Sequence, residues 1–355
     1  MIDYLKWAAD NPTEPTVVSE DEAECLQQSQ EIVNLDALPI PWHYPQDRGR
    51  YMSASVIIAE FEGRRNMSFH RQYVKDSKHL VARLIPRHLY DMLNKARAKG
   101  EDLPIAIVNA PDPVVLLAAA MSFDHDLDEL RVASALHQKI YGSPLNLVKL
   151  QNGISVPADS EYAMSAIITK YDDLEGPYVD ITSTLDFERH QPLIEVQSIH
   201  HRNNPIFHAL IPAESEHKTL MGLPRAPTIK TAVEKVCECI DVHLTDGGCG
   251  WLSAVVSIKV KEKGDGFRAI EAAFNGHKSM KQVVVVEGDI DVTNNVQVEW
   301  ALMTRWQPDR DTLILSGEKG SSLDPSKLPD GTTGKIGFDA TLPPDTDRTP
   351  YTFIR

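Results

Sequence analysis

An alternation of apolar and polar residues with period two begins near Tyr51 and sets what this chain can fold into. Residues 54–61 alternate in this way, and the runs 66–74 and 79–84 flank the polar turn 75–78. Such alternation is typical of strands with one buried face, and a short polar turn joins neighbouring strands in antiparallel order. The sequence therefore predicts an antiparallel β core early in the chain.

Helices are predicted to interrupt this core. Pro86 fits the first turn of a helix that ends at Gly100. Asp112 can cap a second helix, and Asp126 or Asp128 can cap a third. Apolar runs predict further strands at residues 103–108, 162–171 and 193–201.

From about residue 228 the pattern alternates between helix and strand, which predicts a smaller α/β layer. Helices are predicted at 232–240, 266–274 and 296–304, and strands at 254–260 and 282–287. The fold class is therefore α/β (α+β), a β-rich core with helical insertions and a smaller C-terminal α/β domain. The predicted parts are an acidic arm with a short helix at 22–32, a core domain and a C-terminal domain, at residues 1–48, 49–225 and 226–355.

The charge balance argues against nucleic acid as a partner. The 355 residues carry 36 basic and 51 acidic side chains, a net charge of -15, which repels phosphate backbones and anionic membranes. The longest apolar run, residues 114–121, is far shorter than the roughly 20 residues that span a bilayer. No export signal is visible at the N-terminus. We expect a cytoplasmic protein without a membrane span.

Four cysteines are too few and too unevenly spaced for a disulfide framework. They are Cys25, Cys237, Cys239 and Cys249. The pair at 237 and 239 raises the possibility of a metal site, but residues two apart on a helix point to different sides. Reduced thiols are the favoured interpretation.

The strand at residues 66–71 carries polar groups on both faces. Residues 66, 68 and 70 share one face, and 67, 69 and 71 the other. Such a strand could present Asn66 to a cation and Arg71 to a substrate carboxylate. A polar alternating strand is also typical of a sheet edge facing water, so both interpretations stay open.

Three further positions carry groups that could bind ligands. Arg87 and His88 begin a helix, where free backbone N–H groups favour an anion, although a surface position explains them equally simply. Glu129 belongs to an acidic cluster that fits a capped, solvated helix start. Lys335 lies between Gly334 and Gly337, in a stretch that could approach an anion or form a plain turn.

Two carboxylates flank a rigid turn in the stretch Leu-Glu-Gly-Pro-Tyr-Val-Asp, residues 174–180. Gly176 and Pro177 favour a turn that could bring Glu175 and Asp180 to one cavity. One carboxylate could then hold an arginine while the other transfers a proton. The spacing alone leaves a surface turn as an equal alternative.

Taken together, these stretches resemble the UbiD family of decarboxylases, which use prenylated flavin mononucleotide. The resemblance covers roughly residues 35–341 and follows the order of the family's motifs. The matching stretches are residues 66–71, 76–84, 87–88, 128–130, 156–161, 175–180, 298–305 and 334–341. The resemblance implies a split β-barrel that binds the flavin, and reversible, non-oxidative decarboxylation of an aromatic or α,β-unsaturated acid.

The resemblance also implies roles for individual residues. Arg71, Glu175 and Asp180 would be the catalytic trio, in which Glu175 braces the arginine and Asp180 transfers the proton. Asn66, His88 and Glu129 would bind Mn2+ or another divalent cation at the flavin phosphate, with K+ as a further ion. The implied cofactor-binding residues are Ser68, Phe69, His70, Arg71, Ala82, Arg83, Leu84, Arg87, His88, Met121 and Lys335.

The resemblance implies partners, and the sequence also departs from the family pattern at some positions. A flavin prenyltransferase would supply the cofactor and a small carboxylic acid would be the substrate. We expect a homo-oligomer, either a dimer, the commonest symmetric assembly, or a hexamer as occurs in the family, or else a complementary subunit. Val179 replaces a usual glycine, and Ser122 stands where proline is common. The chain is expected to be a short form without the usual N-terminal segment. An alternative function is therefore a cofactor-binding subunit of a larger decarboxylase complex, inactive alone. A plain flavin reductase has little support because it needs neither Glu175 nor Asp180.

Overall fold

The computed structural model describes residues 1–121 and 127–354, which form two compact units. The first unit comprises Asp3–Pro212, and the second begins at Ala213. This division precedes the predicted boundary at 225/226, since a helix over Ser215–Gly222 belongs to the second unit. The proposed cap at Asp126, the acidic cluster member Asp124 and the departure at Ser122 lie outside the described residues.

The first unit combines a large sheet with four helices among its described residues. The helices are α1 (Ile2–Asp10), α2 (His88–Ala98), α3 (Pro113–Ala120) and α4 (Glu129–Tyr141). The strands are β1 (Thr16–Val17), β2 (Gln28–Ser29), β3 (Tyr51–Met52), β4 (Val56–Phe61), β5 (Arg64–Phe69), β6 (Gln72–Val74), β7 (His79–Ala82), β8 (Leu103–Asn109), β9 (Asn146–Lys149), β10 (Ser155–Pro157), β11 (Tyr162–Glu175), β12 (Tyr178–Val179), β13 (Leu185–Asp186) and β14 (Arg189–His201).

The large sheet has the order β3-β6-β7-β14-β11-β8-β4-β5, and β2 pairs with β14. The predicted antiparallel pair around the turn at 75–78 is confirmed, with Tyr73 opposite Val81. The caps at Asp112 and Asp128 are as predicted, but Pro86 lies before its helix and not in the first turn, because α2 begins at His88 with Arg87 as its N-cap. The carboxylate of Asp112 accepts from the N–H of Val114 at 2.8 Å, and that of Asp128 from the N–H of Leu130 at 2.9 Å.

Two strands that follow each other in the chain lie near opposite ends of this sheet. β5 is the last strand in the order and β6 is the second, yet only His70 and Arg71 separate them. Three Cα steps from Phe69 to Gln72 span about 10 Å at most. The two ends of the sheet must therefore curl towards each other, which is the shape of a split barrel with Arg71 at its seam.

The segment before the barrel is packed against it. Leu35, Leu38 and Ile40 are buried in the same apolar core as strands β4, β8 and β11. The helix predicted at 22–32 is wrong: 3-10 turns cover Glu20–Glu22 and Glu24–Leu26. The following residues pair with β14 as strand β2, and this backbone pairing replaces the helical hydrogen bonds.

The second unit is an α/β layer, which together with the sheet of the first unit confirms the predicted fold class. Its helices are α5 (Ser215–Gly222), α6 (Ala226–Glu234), α7 (Asp265–Gly276) and α8 (Asn295–Arg305). Its strands are β15 (Glu238–Leu244), β16 (Ser253–Lys259), β17 (Gln282–Glu287), β18 (Thr312–Lys319) and β19 (Thr332–Asp339), in the order β15-β16-β17-β19-β18. The inner strands run parallel, and each edge strand runs antiparallel to its neighbour.

The helix predicted at 232–240 is misplaced. Helix α6 ends at Glu234, and strand β15 follows, because Cys239, Val242 and Leu244 bury their side chains against the layer's core. Pro227 lies in the first turn of α6, where its missing N–H costs nothing. All four cysteines are free thiols, as predicted. None of the helices in the described residues is long and apolar enough to cross a bilayer.

Candidate active site

A buried arginine at the barrel seam lies at the centre of the candidate site. The Nε of Arg71 donates to Oε1 of Glu175 at 2.8 Å, and its Nη2 donates to Oε2 at 2.9 Å. The Glu175 side chain is 0% exposed and that of Arg71 is 8% exposed. Two parallel bonds from a planar guanidinium to one carboxylate fix the orientation of both groups.

Two further carboxylates complete the surroundings of this guanidinium. Nη1 of Arg71 donates to Oδ2 of Asp180 at 2.6 Å, and Nη2 donates to Oδ2 of Asp186 at 2.8 Å. Arg189 in turn donates to both oxygens of Asp186. The structure thus brings the predicted trio together and adds a carboxylate and an arginine that the sequence analysis did not single out.

The hairpin β12–β13 places the second and third carboxylates. Tyr178 on β12 lies directly opposite Asp186 on β13, so their side chains share one face of the hairpin. Asp180 is two residues beyond Tyr178 and falls on the same side. The guanidinium of Arg71 lies over the ring of Tyr178, 4.6 Å from its centroid, which adds a cation–π contact.

The Gly176-Pro177 turn is fixed by contacts with the rest of the unit. Gly176 has φ of +81°, and a Cβ there would lie 2.7 Å from the carbonyl oxygen of Phe187. The Tyr51 hydroxyl accepts from the N–H of Gly176 at 3.1 Å and donates to Oε1 of Glu175 at 3.3 Å. The turn is therefore a wall of the site and not a free surface loop.

The charges of this cluster stabilise one another. Burial lowers the pKa of Arg71, but the hydrogen bonds and charges of its carboxylate partners outweigh burial and raise it. Burial raises the pKa of Asp186, but the bonds from Arg189 and the charge of Arg71 hold it well below its usual range. Arg71, Asp186 and Arg189 therefore stay ionised at neutral pH.

A second buried cluster joins β5 to helix α4. Nδ2 of Asn66 donates to Oε1 of Glu129 at 3.1 Å, and the N–H of Met67 donates to Oε2 at 3.0 Å. Burial raises the pKa of Glu129 to about 7. Within the described residues, no hydrogen bond links His88, the first residue of α2, to either Asn66 or Glu129.

This cluster fits a divalent cation in its chemistry. A buried carboxylate whose ionised form is disfavoured by burial gains from a nearby positive charge. An amide oxygen and a carboxylate oxygen are ligands for a hard or borderline cation, and an imidazole suits the borderline ones. Asn66 and Glu129 are already adjacent, so two of the three predicted metal ligands are brought together.

Polar side chains on the Asn66 face of β5 continue towards Arg71. The Ser68 hydroxyl lies 3.1 Å from Oδ1 of Asn66 and 2.9 Å from Nε2 of His70, so residues 66, 68 and 70 share a face as predicted. Nδ1 of His70 lies 3.1 Å from the carbonyl oxygen of Arg83. Burial lowers the pKa of His70 to about 4, so its ring is neutral at pH 7.

The surroundings of Arg83 fit an anionic group such as a flavin phosphate. Burial lowers the pKa of Arg83, and the nearby charges of Arg189 and Arg71 lower it further. A bound anion would relieve both effects. Nη1 of Arg83 donates to the carbonyl oxygen of Leu84 at 3.0 Å, and this bond uses one of the five N–H donors of the guanidinium.

The other predicted cofactor-binding residues occupy separate elements. Phe69 ends β5, Ala82 ends β7, and Leu84 is buried beyond it, with its N–H bonded to Oε1 of Gln191 at 2.8 Å. Arg87 caps α2, and Met121 follows α3. In the second unit, Lys335 is buried on β19 and its Nζ donates to the carbonyl of Lys278 at 2.7 Å. The cofactor contacts of these residues stay predictions.

The residues missed by the sequence analysis are Tyr51, Asp186 and Arg189. One signal could have identified Asp186. The polar stretch 182–184 separates two short runs, and a hairpin there places Asp186 opposite Tyr178. No comparable pattern marks Tyr51, because its contact with the Gly176 turn joins distant parts of the chain.

Comparisons with known proteins agree with this architecture. The sequence matches the 3-octaprenyl-4-hydroxybenzoate carboxy-lyase Rift-related domain over residues 16–215 and the corresponding C-terminal domain over residues 218–340. The solved structure of the UbiD-class enzyme HmfF from Pelotomaculum thermopropionicum in complex with FMN superposes with a TM-score of 0.95, at 35% identity, covering 100% of this chain and 80% of that one.

Two similar proteins are named as decarboxylases. An anhydromevalonate phosphate decarboxylase from Methanothermobacter thermautotrophicus is 44% identical over 87% of this chain and 73% of its own length. A phenolic acid decarboxylase from Bacillus subtilis is 31% identical over 93% of this chain and 72% of its own length. Fold, site and relatives together define a carboxy-lyase. The chain belongs to the UbiD family of decarboxylases, as the sequence motifs indicated.

Proposed function

We propose that this protein catalyses the reversible, non-oxidative decarboxylation of an aromatic or α,β-unsaturated carboxylic acid with prenylated FMN. The observation that carries the proposal is the buried Arg71, held at once by Glu175 and Asp180. The solved HmfF structures, one in complex with FMN and one with prFMN, support the cofactor. When bound, prenylated FMN supplies an electron sink for the electron pair left by the departing carbon dioxide.

Arg71 orients the substrate carboxylate. A guanidinium carries five N–H donors. Bonds to the described residues engage four of them: one on Nε, both on Nη2 and one on Nη1. The remaining donor lies on Nη1, the nitrogen that contacts Asp180. An incoming carboxylate bound at this edge is therefore placed beside Asp180.

Asp180 transfers the proton, and Glu175 braces the arginine. Glu175 is wholly buried and both its oxygens are engaged by Arg71, so it has no path to substrate. The Asp180 side chain is 19% exposed and is bonded by one guanidinium nitrogen. It is the carboxyl group that can reach a reacting carbon and reprotonate it after loss of carbon dioxide.

The first unit supplies most of the residues that would hold the cofactor. Asn66, His88 and Glu129 would bind Mn2+ or another divalent cation next to the flavin phosphate, with K+ as a further ion. Arg83 would line the flavin together with Ala82 and Leu84. A flavin prenyltransferase would supply the modified flavin. The four free thiols fit a reducing cytoplasm, and we propose a homo-oligomer as the working assembly.

The substrate class can be narrowed by a panel of acids. Relatives 39 to 44% identical are named anhydromevalonate phosphate decarboxylase, and a relative 31% identical is named phenolic acid decarboxylase. A panel should therefore include a phosphorylated aliphatic α,β-unsaturated acid, hydroxybenzoates, heteroaromatic carboxylates and cinnamate-like acids.

The test combines the identity of the bound flavin with turnover. The protein is purified after coexpression with a flavin prenyltransferase, and the flavin is identified by mass and absorbance spectra. Carbon dioxide release is then measured over the panel. We expect prenylated FMN and turnover of at least one acid. A chain that binds prenylated FMN but releases no carbon dioxide alone would instead be a subunit of a larger complex, and one that binds no flavin would contradict the proposal.

A further inference from the structure

Asp186 makes a contact with the catalytic arginine that the proposed reaction does not use directly. Its Oδ2 accepts from Nη2 of Arg71 at 2.8 Å and from Nη1 of Arg189 at 2.7 Å. Its Oδ1 accepts from Nη2 of Arg189 at 2.5 Å. Asp186 therefore lies between two guanidinium groups and holds Nη2 of Arg71, while Asp180 holds Nη1.

The charges in this cluster divide into pairs. Arg71 and Glu175 form a bidentate ion pair, and Arg189 and Asp186 form a second one. Asp180 is then the carboxylate without an arginine of its own. If Asp186 had no such partner, its charge would oppose the approach of a substrate carboxylate to Arg71. Arg189 removes this opposition while leaving the hydrogen bond to Arg71 in place.

Asp186 is not needed to close the hairpin on which it lies. The N–H of Asp180 donates to the carbonyl of Thr184 at 3.0 Å, and the N–H of Ser183 donates to the carbonyl of Asp180 at 2.8 Å. The N–H of Val179 is held by Oδ1 of Asp47 at 2.8 Å. Backbone bonds on both sides of the turn therefore hold the hairpin, and the Asp186 carboxylate adds one local bond, from the N–H of Phe187 to its Oδ1 at 2.9 Å.

We propose that Asp186, oriented by Arg189, is a positioning residue that fixes the guanidinium plane of Arg71 and leaves only its Nη1 edge to the substrate carboxylate. This inference rests on the proposed function, in which Arg71 binds that carboxylate. Glu175 holds Nε and Nη2 of the guanidinium and Asp180 holds Nη1, and the bond from Nη2 to Asp186 adds a further anchor against rotation of the plane.

The test compares Asp186→Ala and Asp186→Asn with Asp172→Asn as the control. Asp172 also pairs with an arginine, Arg97, at 2.7 Å, but it does not contact Arg71. In enzyme loaded with prenylated FMN, we expect KM for the best acid of the panel to rise about tenfold in Asp186→Ala, with a smaller change in kcat. Asp186→Asn keeps an acceptor for Arg71 and should recover part of the loss. The control should match the wild type.

Arg189→Ala tests whether the second arginine acts through Asp186. We expect a smaller rise in KM than for Asp186→Ala, and no further rise when it is added to Asp186→Ala, because coupled residues are not additive. Independent, additive effects of the two substitutions would contradict the role given to Arg189.

Crystal structures of the wild type and Asp186→Ala supply a measurement that does not depend on turnover. We expect the Arg71 guanidinium to rotate away from its position between Glu175 and Asp180 in the variant. An unmoved guanidinium together with an unchanged KM would overturn the inference, as would a loss limited to the melting temperature. A wild type that releases no carbon dioxide would count against the proposed function, while the orientation of Arg71 would still decide the role of Asp186.

Discussion

Nδ2 of Asn66 lies 3.1 Å from Oε1 of Glu129, and this contact joins the end strand of the barrel to the first residue of helix α4. The second carboxylate oxygen takes the N–H of Met67 at 3.0 Å. The Glu129 side chain is buried and has no basic partner among the described residues. A bound cation would supply the missing positive charge, so we expect this pair to couple the proposed metal to retention of the cofactor.

Glu129→Ala is expected to weaken retention of the flavin. The substitution removes a proposed metal ligand, and with it the bridge between the protein and the flavin phosphate. Flavin and metal content per chain after gel filtration should both fall, and dialysis of the wild type against a chelator should reproduce the loss. Full flavin and metal content in the variant would remove Glu129 from the ligand set.

Asp180→Asn is expected to retain the flavin and lose turnover. The amide keeps nearly the same shape and can still accept from Nη1 of Arg71, but it cannot deliver a proton. The flavin spectrum should match the wild type, while kcat falls by about a hundredfold or more. Turnover close to that of the wild type would show that a group other than Asp180 transfers the proton.

Arg71→Lys is expected to keep a positive charge but lose the orientation of the site. A lysine is a point charge without a planar fork, so it cannot form two parallel bonds to Glu175 and also reach Asp180 and Asp186. We expect kcat/KM to fall by about a hundredfold or more, on the order of 3 kcal/mol. An Arg71→Lys enzyme within threefold of wild type would show that charge alone is sufficient.

Gly176→Ala is expected to destabilise the protein more than Gly153→Ala. Both glycines have positive φ, +81° and +88°, so both substitutions strain the backbone. A Cβ at 176 would also lie 2.7 Å from the Phe187 carbonyl oxygen, whereas a Cβ at 153 meets nothing within 4 Å. Urea denaturation should give a difference of about 2 kcal/mol between the two variants. Equal losses would mean that the turn adjusts without strain.

His70 is expected to make stability depend on pH between about 4 and 6.5. Burial lowers its pKa from 6.5 to about 4 in the folded protein, so below pH 6.5 the unfolded chain takes up a proton that the folded protein does not. The free energy of unfolding of the cofactor-free protein should therefore fall as pH drops through this window, by up to about 3 kcal/mol. His70→Gln should flatten that part of the curve. A variant with the same slope as the wild type would assign the effect to other groups.

Much of the fold could be predicted from local patterns, and the strands that were missed depend on pairing with other parts of the chain. Strand β17 was predicted at its observed bounds, Gln282–Glu287, since residues 283–286 are four consecutive valines. Strands β18 and β19 were missed because Gly317, Gly334 and Gly337 weaken their local preference, and pairing between the two supplies what the sequence lacks.

In the candidate site, too, some residues could be predicted from local motifs, while another contact depends on tertiary structure. Arg71, Glu175 and Asp180 belong to motifs that the sequence displays, and the structure brings them into contact. Asp186 reaches Arg71 only through the pairing of two two-residue strands. Such short strands carry no periodicity of their own, so a contact that depends on their register is set by tertiary structure.

The two-residue link between β5 and β6 connects the two ends of the sheet directly. A force that pulls the two ends of the sheet apart acts first on the backbone of His70 and Arg71, because the link between β5 and β6 is two residues long. A ligand that contacts both ends of the sheet would therefore hold them together. Binding of such a ligand would therefore also be expected to stiffen the first unit.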